Sequence, residues 1–309
     1  MRISTASFYT ASLPGIQSQQ SAIARLNQQI ASNQNYLAPK DNPVKTNQIM
    51  ALADGIAMRN QYLANIDKAG LVLSEENTVL SEMRSAVSSA KSLLSQSSSM
   101  SDQSLRSQMA QQLGDLYTHI KDLANAKDSN GNYIFAGYKS DTLPYDHSQV
   151  YPGTAASAST SYGGDAGVRA IEIDSGRTLA VSDVLSNIFH IGDTPDLLQA
   201  IDQAAIDLAN PGVSQPGLAG NLQGYLDVVN TALDRLSVTV NDVVGRQVVL
   251  DEAKNVQKTL KLNDENALGN IQELDQAAAI VELQQRQVAL QASMQAFSKV
   301  SGLSLFSYL

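Results

Sequence analysis

The chain has 309 residues, a formal net charge of −9 and no cysteine. This length allows roughly two domains with a sizeable core. The lack of cysteine excludes disulfides and thiolate metal sites, and the absence of any Lys/Arg run argues against nucleic-acid binding. Charged residues make up only 17% of the chain and aromatics 5%, which favours long helices with semi-polar faces over an aromatic-rich enzyme core.

The first residues, "MRISTASFYTASLPG", contain one Arg and no continuous apolar segment. They therefore do not have the pattern of a cleaved secretory signal. The longest apolar run, Ala277–Val281, is far shorter than the roughly 20 residues that a membrane span requires. We expect a protein that is soluble before it assembles.

Apolar residues recur every seven positions near both ends of the chain. Such spacing places one apolar face along a helix, and that face needs another helix to cover it. Because both ends have this pattern, we expect the N-terminal and C-terminal helices to pair with each other. The N-terminal series is Ile16, Ile23, Ile30 and Leu37, with Leu26 between; the C-terminal series are Leu274, Val281 and Val288, and Leu283, Leu290 and Phe297.

The segment "LAPKDNPV" (Leu37–Val44) separates the first helix from the second. Its two prolines exclude a continuous helix, and Asp41 or Asn42 can cap the helix that follows. That second helix has a sevenfold series in which only Arg59 is polar. The series comprises Leu52, Arg59, Ile66, Leu73, Leu80, Val87 and Leu94.

A Ser-rich break, "SQSSSMSDQS", predicts a turn with Ser or Asp capping a third helix. In that helix Leu105, Met109 and Leu113 begin an apolar series spaced by three and four residues. Farther along the chain, Leu222 to Leu250 repeat every seven residues and predict a helix of about 40 residues.

The middle of the chain differs from both ends. An Asn-Gly turn signal at Asn130–Gly131 comes first, and "VRAIEID" then alternates as a strand does before a "DSG" turn. A short helix ends at Asn210, and "PGVSQPG" has the composition of a linker. We predict an inserted β-containing domain over 136–215, a long-helix bundle domain over 41–135 and 216–269, and a terminal coiled-coil domain over 1–40 and 270–309.

No motif in the sequence predicts catalysis. The three histidines lack metal-site spacing, and the chain has no phosphate-binding loop, dinucleotide fingerprint or nucleophile elbow. We therefore predict a protein that is not an enzyme and that has no cofactor and no metal.

The last residues, "AFSKVSGLSLFSYL", are apolar although chain termini are usually polar. Phe297 extends the C-terminal series, so a helix should run almost to the end, with Gly302 interrupting or capping it. Leu303, Phe306 and Leu309 continue the apolar surface. We expect neighbouring subunits to cover it.

Four separated segments resemble one family: "RISTASFY", "QQIASNQNYLAPKDNP", "NGNYIFAGYKSDTLPY" and "SLFSYL". The chain looks like the hook-associated proteins of the flagellin superfamily over about 1–145 and 215–309. Where that family has Ser-Gly at the end of the first helix, this chain has Ser32-Asn33. Asn tolerates a left-handed backbone, so we expect the turn to be kept.

The resemblance implies a mainly α fold: an elongated bundle of long helices, with a coiled coil from both termini and a small inserted β-containing domain. It implies terminal helices that are disordered in the monomer and order on assembly. It also implies an assembly interface along them, formed by Ile16, Ile23, Leu26, Ile30, Leu37, Leu283, Leu290, Phe297, Leu303, Phe306 and Leu309.

The implied function is structural: a subunit of the bacterial flagellum in the ring that joins hook to filament and templates flagellin assembly. Its implied partners are other copies of itself, in a closed ring of about eleven, the adjacent hook-associated junction protein, and flagellin. The resemblance also implies an export chaperone and the flagellar type III apparatus, with an extracellular location reached without a cleaved signal. Neither nucleic acid nor membrane is an implied partner.

Two alternatives remain open from the sequence. The first is flagellin, although the ending "SLFSYL" lacks the basic last residue common there, and the start of the chain lacks an Asn-rich opening. The second is a secreted needle-tip or adhesin-like binding protein with a helical stalk. That alternative predicts a ligand pocket within 136–215.

Overall fold

The computed structural model describes residues 2–145, 162–189 and 195–306; for helical residues 2–9, 11, 215 and 300–306 it describes the backbone alone. These residues form two compact units. Unit 1 comprises residues 1–59 and 259–309, and unit 2 comprises residues 60–258. The fold is mainly α, as the sequence predicts. The finer division into three domains stays a prediction.

Seven helices and one two-stranded sheet lie within the described residues. In chain order the elements are α1 (Arg2–Ser32), α2 (Pro43–Ser97), α3 (Gln103–Ala124), β1 (Ala170–Asp174), β2 (Arg177–Ala180), α4 (Leu185–Phe189), α5 (Leu197–Ala209), α6 (Gln215–Gln272) and α7 (Gln276–Phe306). None of these helices contains a stretch both long and apolar enough to cross a membrane.

In unit 1 the N-terminal helix α1 packs against the C-terminal helix α7. The predicted pairing of the two chain ends is therefore confirmed. The prediction for Gly302 is wrong, because α7 continues through it to Phe306. A single glycine inside a long helix costs only about 1 kcal/mol relative to alanine, too little to end it.

Unit 2 contains the hydrophobic core, built mainly from two of the predicted sevenfold series. On α2, Leu73, Leu80, Val87 and Leu94 are fully buried. On α6, the series from Leu222 to Leu250 is buried along its whole length. Long helices in unit 2 are thus stabilised mainly by covering these continuous apolar faces.

Capping residues fix where the shorter helices begin. Asp102 accepts hydrogen bonds from the amides of Ser104 and Leu105 at the start of α3, as the Ser-rich break predicted. Asp196 caps α5 and forms a reciprocal pair with Gln199. Each cap satisfies amides that have no partner inside the helix.

The two strands form an antiparallel hairpin with an irregularity between Glu172 and Asp174. The turn contains Gly176 with φ +70°, a left-handed conformation that glycine adopts without strain. The predicted Asn-Gly turn is also present, because Gly131 has φ +84° and Asp128 Oδ1 accepts from the amides of Asn130 and Asn132.

The start of α6 differs from the sequence prediction. Part of the segment expected to be a linker belongs to this helix, which begins at Gln215 and spans 58 residues rather than about 40. Pro216 lies in its first turn, where a missing backbone N–H leaves no hydrogen bond unmade. The connection from α5 is correspondingly short.

Candidate assembly interface

Two connections lie side by side in unit 1, one between α1 and α2 and the other between α6 and α7. The amide of Asn35 donates to the carbonyl of Gln272 at 2.8 Å. Next to it, the backbones of Gln34 and Glu273 form an isolated antiparallel β-bridge. Asn33 Oδ1 accepts from Gln276 Nε2 at 3.0 Å. These bonds hold the C-terminal end of α1 next to the N-terminal end of α7, and this sets how the two helices pair.

Asn33 has φ +55°, the left-handed conformation that the sequence predicted at the end of α1. Among the described residues it is the one non-glycine residue with positive φ. Asparagine tolerates this conformation better than other side chains. The turn is therefore kept without glycine.

The loop after this turn is organised by Asp41. Its Oδ2 accepts from the amides of Leu37 and Ala38, each at 3.1 Å, and lies 3.2 Å from a guanidinium nitrogen of Arg25 on α1. Asn42 Oδ1 accepts from the amide of Lys45 and so caps α2, which begins at Pro43. Of the two predicted capping residues, Asn42 caps α2, whereas Asp41 stabilises the loop before it.

The structure brings together most of the predicted interface residues on α1 and α7. Leu26 is buried; Ile16, Ile23, Ile30, Leu283, Leu290 and Phe297 are half-buried, on the least exposed face of each helix, and Leu37 is half-buried in the loop. Leu303 and Phe306 lie in α7 with side chains outside the described part, and Leu309 lies outside the described residues. Their role in assembly stays a prediction.

Unit 1 buries very little apolar surface of its own. Of its described side chains, Leu26 (8% exposed) and Ala279 (5% exposed) are the only apolar ones that are buried. Among the side chains that the structure describes, the contiguous hydrophobic core lies entirely in unit 2. The α1–α7 pair therefore has a half-covered seam rather than a core.

Large apolar side chains are instead exposed on unit 1. Val281 (53% exposed) and Val288 (66% exposed) lie on the face of α7 opposite Leu283 and Leu290. Helix α7 is thus apolar on two faces. The large apolar side chains of unit 1 that are exposed are Leu13, Val44, Met50, Met58, Leu260, Leu262, Ile280, Val281, Val288 and Met294.

The predicted interface omitted Val281 and Val288. The signal was present, since Leu274, Val281 and Val288 repeat every seven residues. The sequence does not distinguish this series from Leu283, Leu290 and Phe297, because both have the same period. Only the pairing with α1 decides which series is partly covered within the chain.

A groove of about 550 Å³ lies between α1 and α7. Leu26, Leu274 and Ala279 form its apolar part, and Arg25, Glu282 and Arg286 its charged part. Arg286 lies 2.7 Å from Glu282, one helical turn away, so these charges are already paired. The groove therefore has an apolar wall next to a paired charge.

Titratable groups with strongly shifted pKa values lie in unit 2, among packed side chains. The hydroxyl of Tyr145 donates to Asp196 Oδ2 at 3.0 Å, and burial raises the pKa of both groups. Burial also raises the pKa of Tyr117 and Tyr162 to about 12. These shifts keep the tyrosines neutral and suit structural hydrogen bonds. Within the described ranges, no three His, Asp or Glu side chains form a group that could hold a metal ion.

Residues 3–140 match the family model of the bacterial flagellin N-terminal helical region. The whole chain is similar to flagellar hook-associated protein 3 of Salmonella typhimurium, with 28% identity over 99% of this chain and 99% of that protein. That similarity includes both terminal helices and the middle of the chain.

Two solved structures have the same fold. Flagellar hook-associated protein-3 of Legionella pneumophila matches with a TM-score of 0.63 and 15% identity, over 72% of this chain and 98% of that chain. The flagellar junction protein FlgL of Legionella pneumophila matches with a TM-score of 0.58 and 15% identity, over 74% of this chain and 100% of that chain. At these identities the likeness concerns the fold. Over residues 3–140 the chain is therefore similar to the bacterial flagellin N-terminal helical region, and over 99% of its length it is similar to flagellar hook-associated protein 3.

Proposed function

We propose that this chain is a structural subunit of the bacterial flagellum that forms the junction between hook and filament. The observation that carries this proposal is the similarity to flagellar hook-associated protein 3 over 99% of both proteins. The fold shared with the flagellar junction protein FlgL supports it. The function is mechanical, and the chain acts through its surfaces rather than through a catalytic site.

The surface that would carry assembly is unit 1. Covering one Leu or Val side chain contributes roughly 1.5–3 kcal/mol. Several such contacts per subunit would offset the entropy lost when the terminal helices become fixed. We assign this role to all the predicted interface residues, including Leu303, Phe306 and Leu309 at the end of the chain. We also assign it to Val281 and Val288, whose side chains are exposed in the single chain.

The partners follow from this role. Copies of the chain would form a closed ring of about eleven, with the adjacent hook-associated junction protein on one side and flagellin on the other. The ring would serve as the template on which flagellin assembles. Export through the flagellar type III apparatus, with an export chaperone, would precede incorporation outside the cell.

The inserted segment 136–215 belongs to a different part of the proposal. Its described residues include the hairpin and α5, which pack on the core of unit 2. We propose that this segment faces outward from the ring, while the terminal helices lie innermost.

Deletion of the gene tests the proposal at the level of the cell. The expected result is cells with hooks but without filaments, together with flagellin released into the medium. A plasmid with the wild-type gene should restore filaments and serves as the control. Normal filaments in the deletion strain would contradict the junction role. Loss of flagellin from both cell and medium would instead indicate that the chain is flagellin.

A further inference from the structure

A glutamate is fully buried in the middle of helix α2. Glu76 lies on α2 between Leu73 and Leu80, and its side chain is completely excluded from solvent. One carboxyl oxygen, Oε1, accepts from the amide of Asp183 at 2.7 Å. The other, Oε2, is buried and has no hydrogen-bond partner within the described part of the chain. A buried carboxylate with one oxygen unpaired is costly in its charged form.

Residues 181–184, here called the strap, connect β2 to α4 and cover this glutamate. Val181, Ser182 and Val184 of the strap are buried. The amide of Val181 donates to the carbonyl of Arg169 at 2.8 Å, and Ser182 Oγ accepts from the amide of Arg169 at 2.9 Å. The strap is therefore fixed to the residue that leads into β1.

Charged groups from two other elements act on Glu76 together with the strap. Arg246 of α6 pairs with Asp183 Oδ2 and donates to the carbonyl of Ala180 at 3.3 Å. Arg169 donates to the carbonyl of Ile134 at 3.3 Å. The negative charge of Asp183 opposes ionisation of Glu76, whereas the positive charges of Arg246 and Arg169 favour it.

We propose that Glu76 is a proton-responsive anchor that holds the strap, and with it the β1–β2 hairpin, onto α2 and α6. When the carboxyl is protonated, the strap covers a neutral group. When it is ionised, the same packing covers a second negative charge beside Asp183. The hydrogen bond from the amide of Asp183 favours the ionised carboxylate, but burial and the nearby charge of Asp183 oppose it more strongly, so the covered arrangement is most stable when the proton is bound. This inference concerns unit 2 alone and does not depend on the junction role.

Burial is the largest influence on this group and raises the pKa of Glu76 to about 7. We call the strap closed when it covers Glu76 and open when it has moved away. In the open state the carboxyl is in water and has an ordinary pKa near 4.3. Glu76 therefore binds its proton more tightly in the closed state. Because the closed form binds more protons, its stability falls as the pH rises from that ordinary value toward 7. Between about pH 5.5 and about pH 8, opening should become roughly 25-fold more frequent.

Hydrogen exchange of the full chain measures this opening directly. The amides of Val181 and Asp183 report on the strap, and their rates are divided by the intrinsic chemical rate at each pH. Their protection factors should fall by at least about tenfold between pH 5.5 and pH 8. A smaller change would overturn the proposal.

A neutral variant assigns the effect to this residue. Glu76→Gln keeps an oxygen that can accept from the amide of Asp183, but it cannot gain or lose a proton. Its protection factors should be the same at both pH values. A pH dependence that persists in Glu76→Gln would overturn the proposal. Glu82→Gln, at an exposed position of the same helix, should behave as wild type.

A titration of the unmodified chain keeps the test independent of that variant's folding. The carboxyl carbon of Glu76 is followed by carbon NMR in protein labelled at glutamate. A midpoint at or above about pH 6 supports the anchor, and a lower midpoint overturns it.

Discussion

Arg59 Nε on α2 lies 2.6 Å from Asp264 Oδ2 on α6. Both residues belong to unit 1, and their side chains are 24% and 22% exposed. In the sequence, Arg59 is the one polar residue of the α2 sevenfold series. The structure shows that this position holds a paired charge between two helices, in a unit whose described side chains form no contiguous apolar core.

Replacing Arg59 by Met should lower the free energy of unfolding by about 1–2 kcal/mol. The substitution keeps the aliphatic stem and leaves Asp264 partly buried without its partner. Urea unfolding followed by far-ultraviolet circular dichroism measures the loss. Lys261→Met is the matched control, because Lys261 pairs at 3.6 Å with Glu265 one turn away on the same helix. Its cost should stay below about 0.5 kcal/mol, and equal costs would contradict the account.

The left-handed residue at the end of α1 gives a second prediction. Asn33→Gly should retain stability, whereas Asn33→Val should cost about 1–2 kcal/mol, because a β-branched side chain clashes at φ +55°. Thermal unfolding of the two variants gives the comparison. Gln276→Ala removes the hydrogen bond to Asn33 without changing the backbone and separates the two causes. An Asn33→Val variant as stable as wild type would refute the backbone argument.

Much of the fold could be predicted because its core is periodic. The series through Leu73 and Leu80 on α2, and from Leu222 on α6, identify faces that are fully buried in unit 2. Local signals also predicted the caps at Asp102 and Asn42. These features depend on residues close together in the chain, so the sequence alone suffices.

The remaining features depend on contacts between distant residues. Gly302 and Pro216 are local signals for a helix boundary, yet both lie inside helices, because one glycine or a first-turn proline is tolerated there. The pairing of Glu76 with the strap joins positions more than a hundred residues apart. The two apolar series of α7 have the same period, so the exposure of Val288 follows only from where α1 packs.

Truncation of leucine should have different effects in the two units. Leu80→Ala in the core of unit 2 should destabilise the monomer by about 2–5 kcal/mol, since it leaves a cavity among packed side chains. Leu283→Ala should cost less than about 1 kcal/mol, because Leu283 is only half-buried and its surroundings can adjust. Chemical unfolding of the monomers tests this. A comparable loss for Leu283 would mean that unit 1 has a core of its own.

A charge on the exposed face of α7 should prevent assembly and leave the monomer intact. Val288→Asp places a carboxylate at a position that is 66% exposed in the single chain, so the unfolding free energy should change little. In the assembled ring the same charge would have to lose its water. Cells with this variant should export the protein but lack filaments. Val288→Ile, which stays apolar, is the control and should support motility. Wild-type motility with Val288→Asp would exclude this face from the interface.

The central claim is that unit 1 is completed by neighbouring subunits. Limited proteolysis of the purified monomer, with fragments identified by mass, tests it most directly. We predict cleavage within 1–59 and 259–309, a resistant fragment close to unit 2 (60–258), and protection of the same sites once the protein is incorporated. Terminal helices as resistant as unit 2 in the free monomer would contradict the claim.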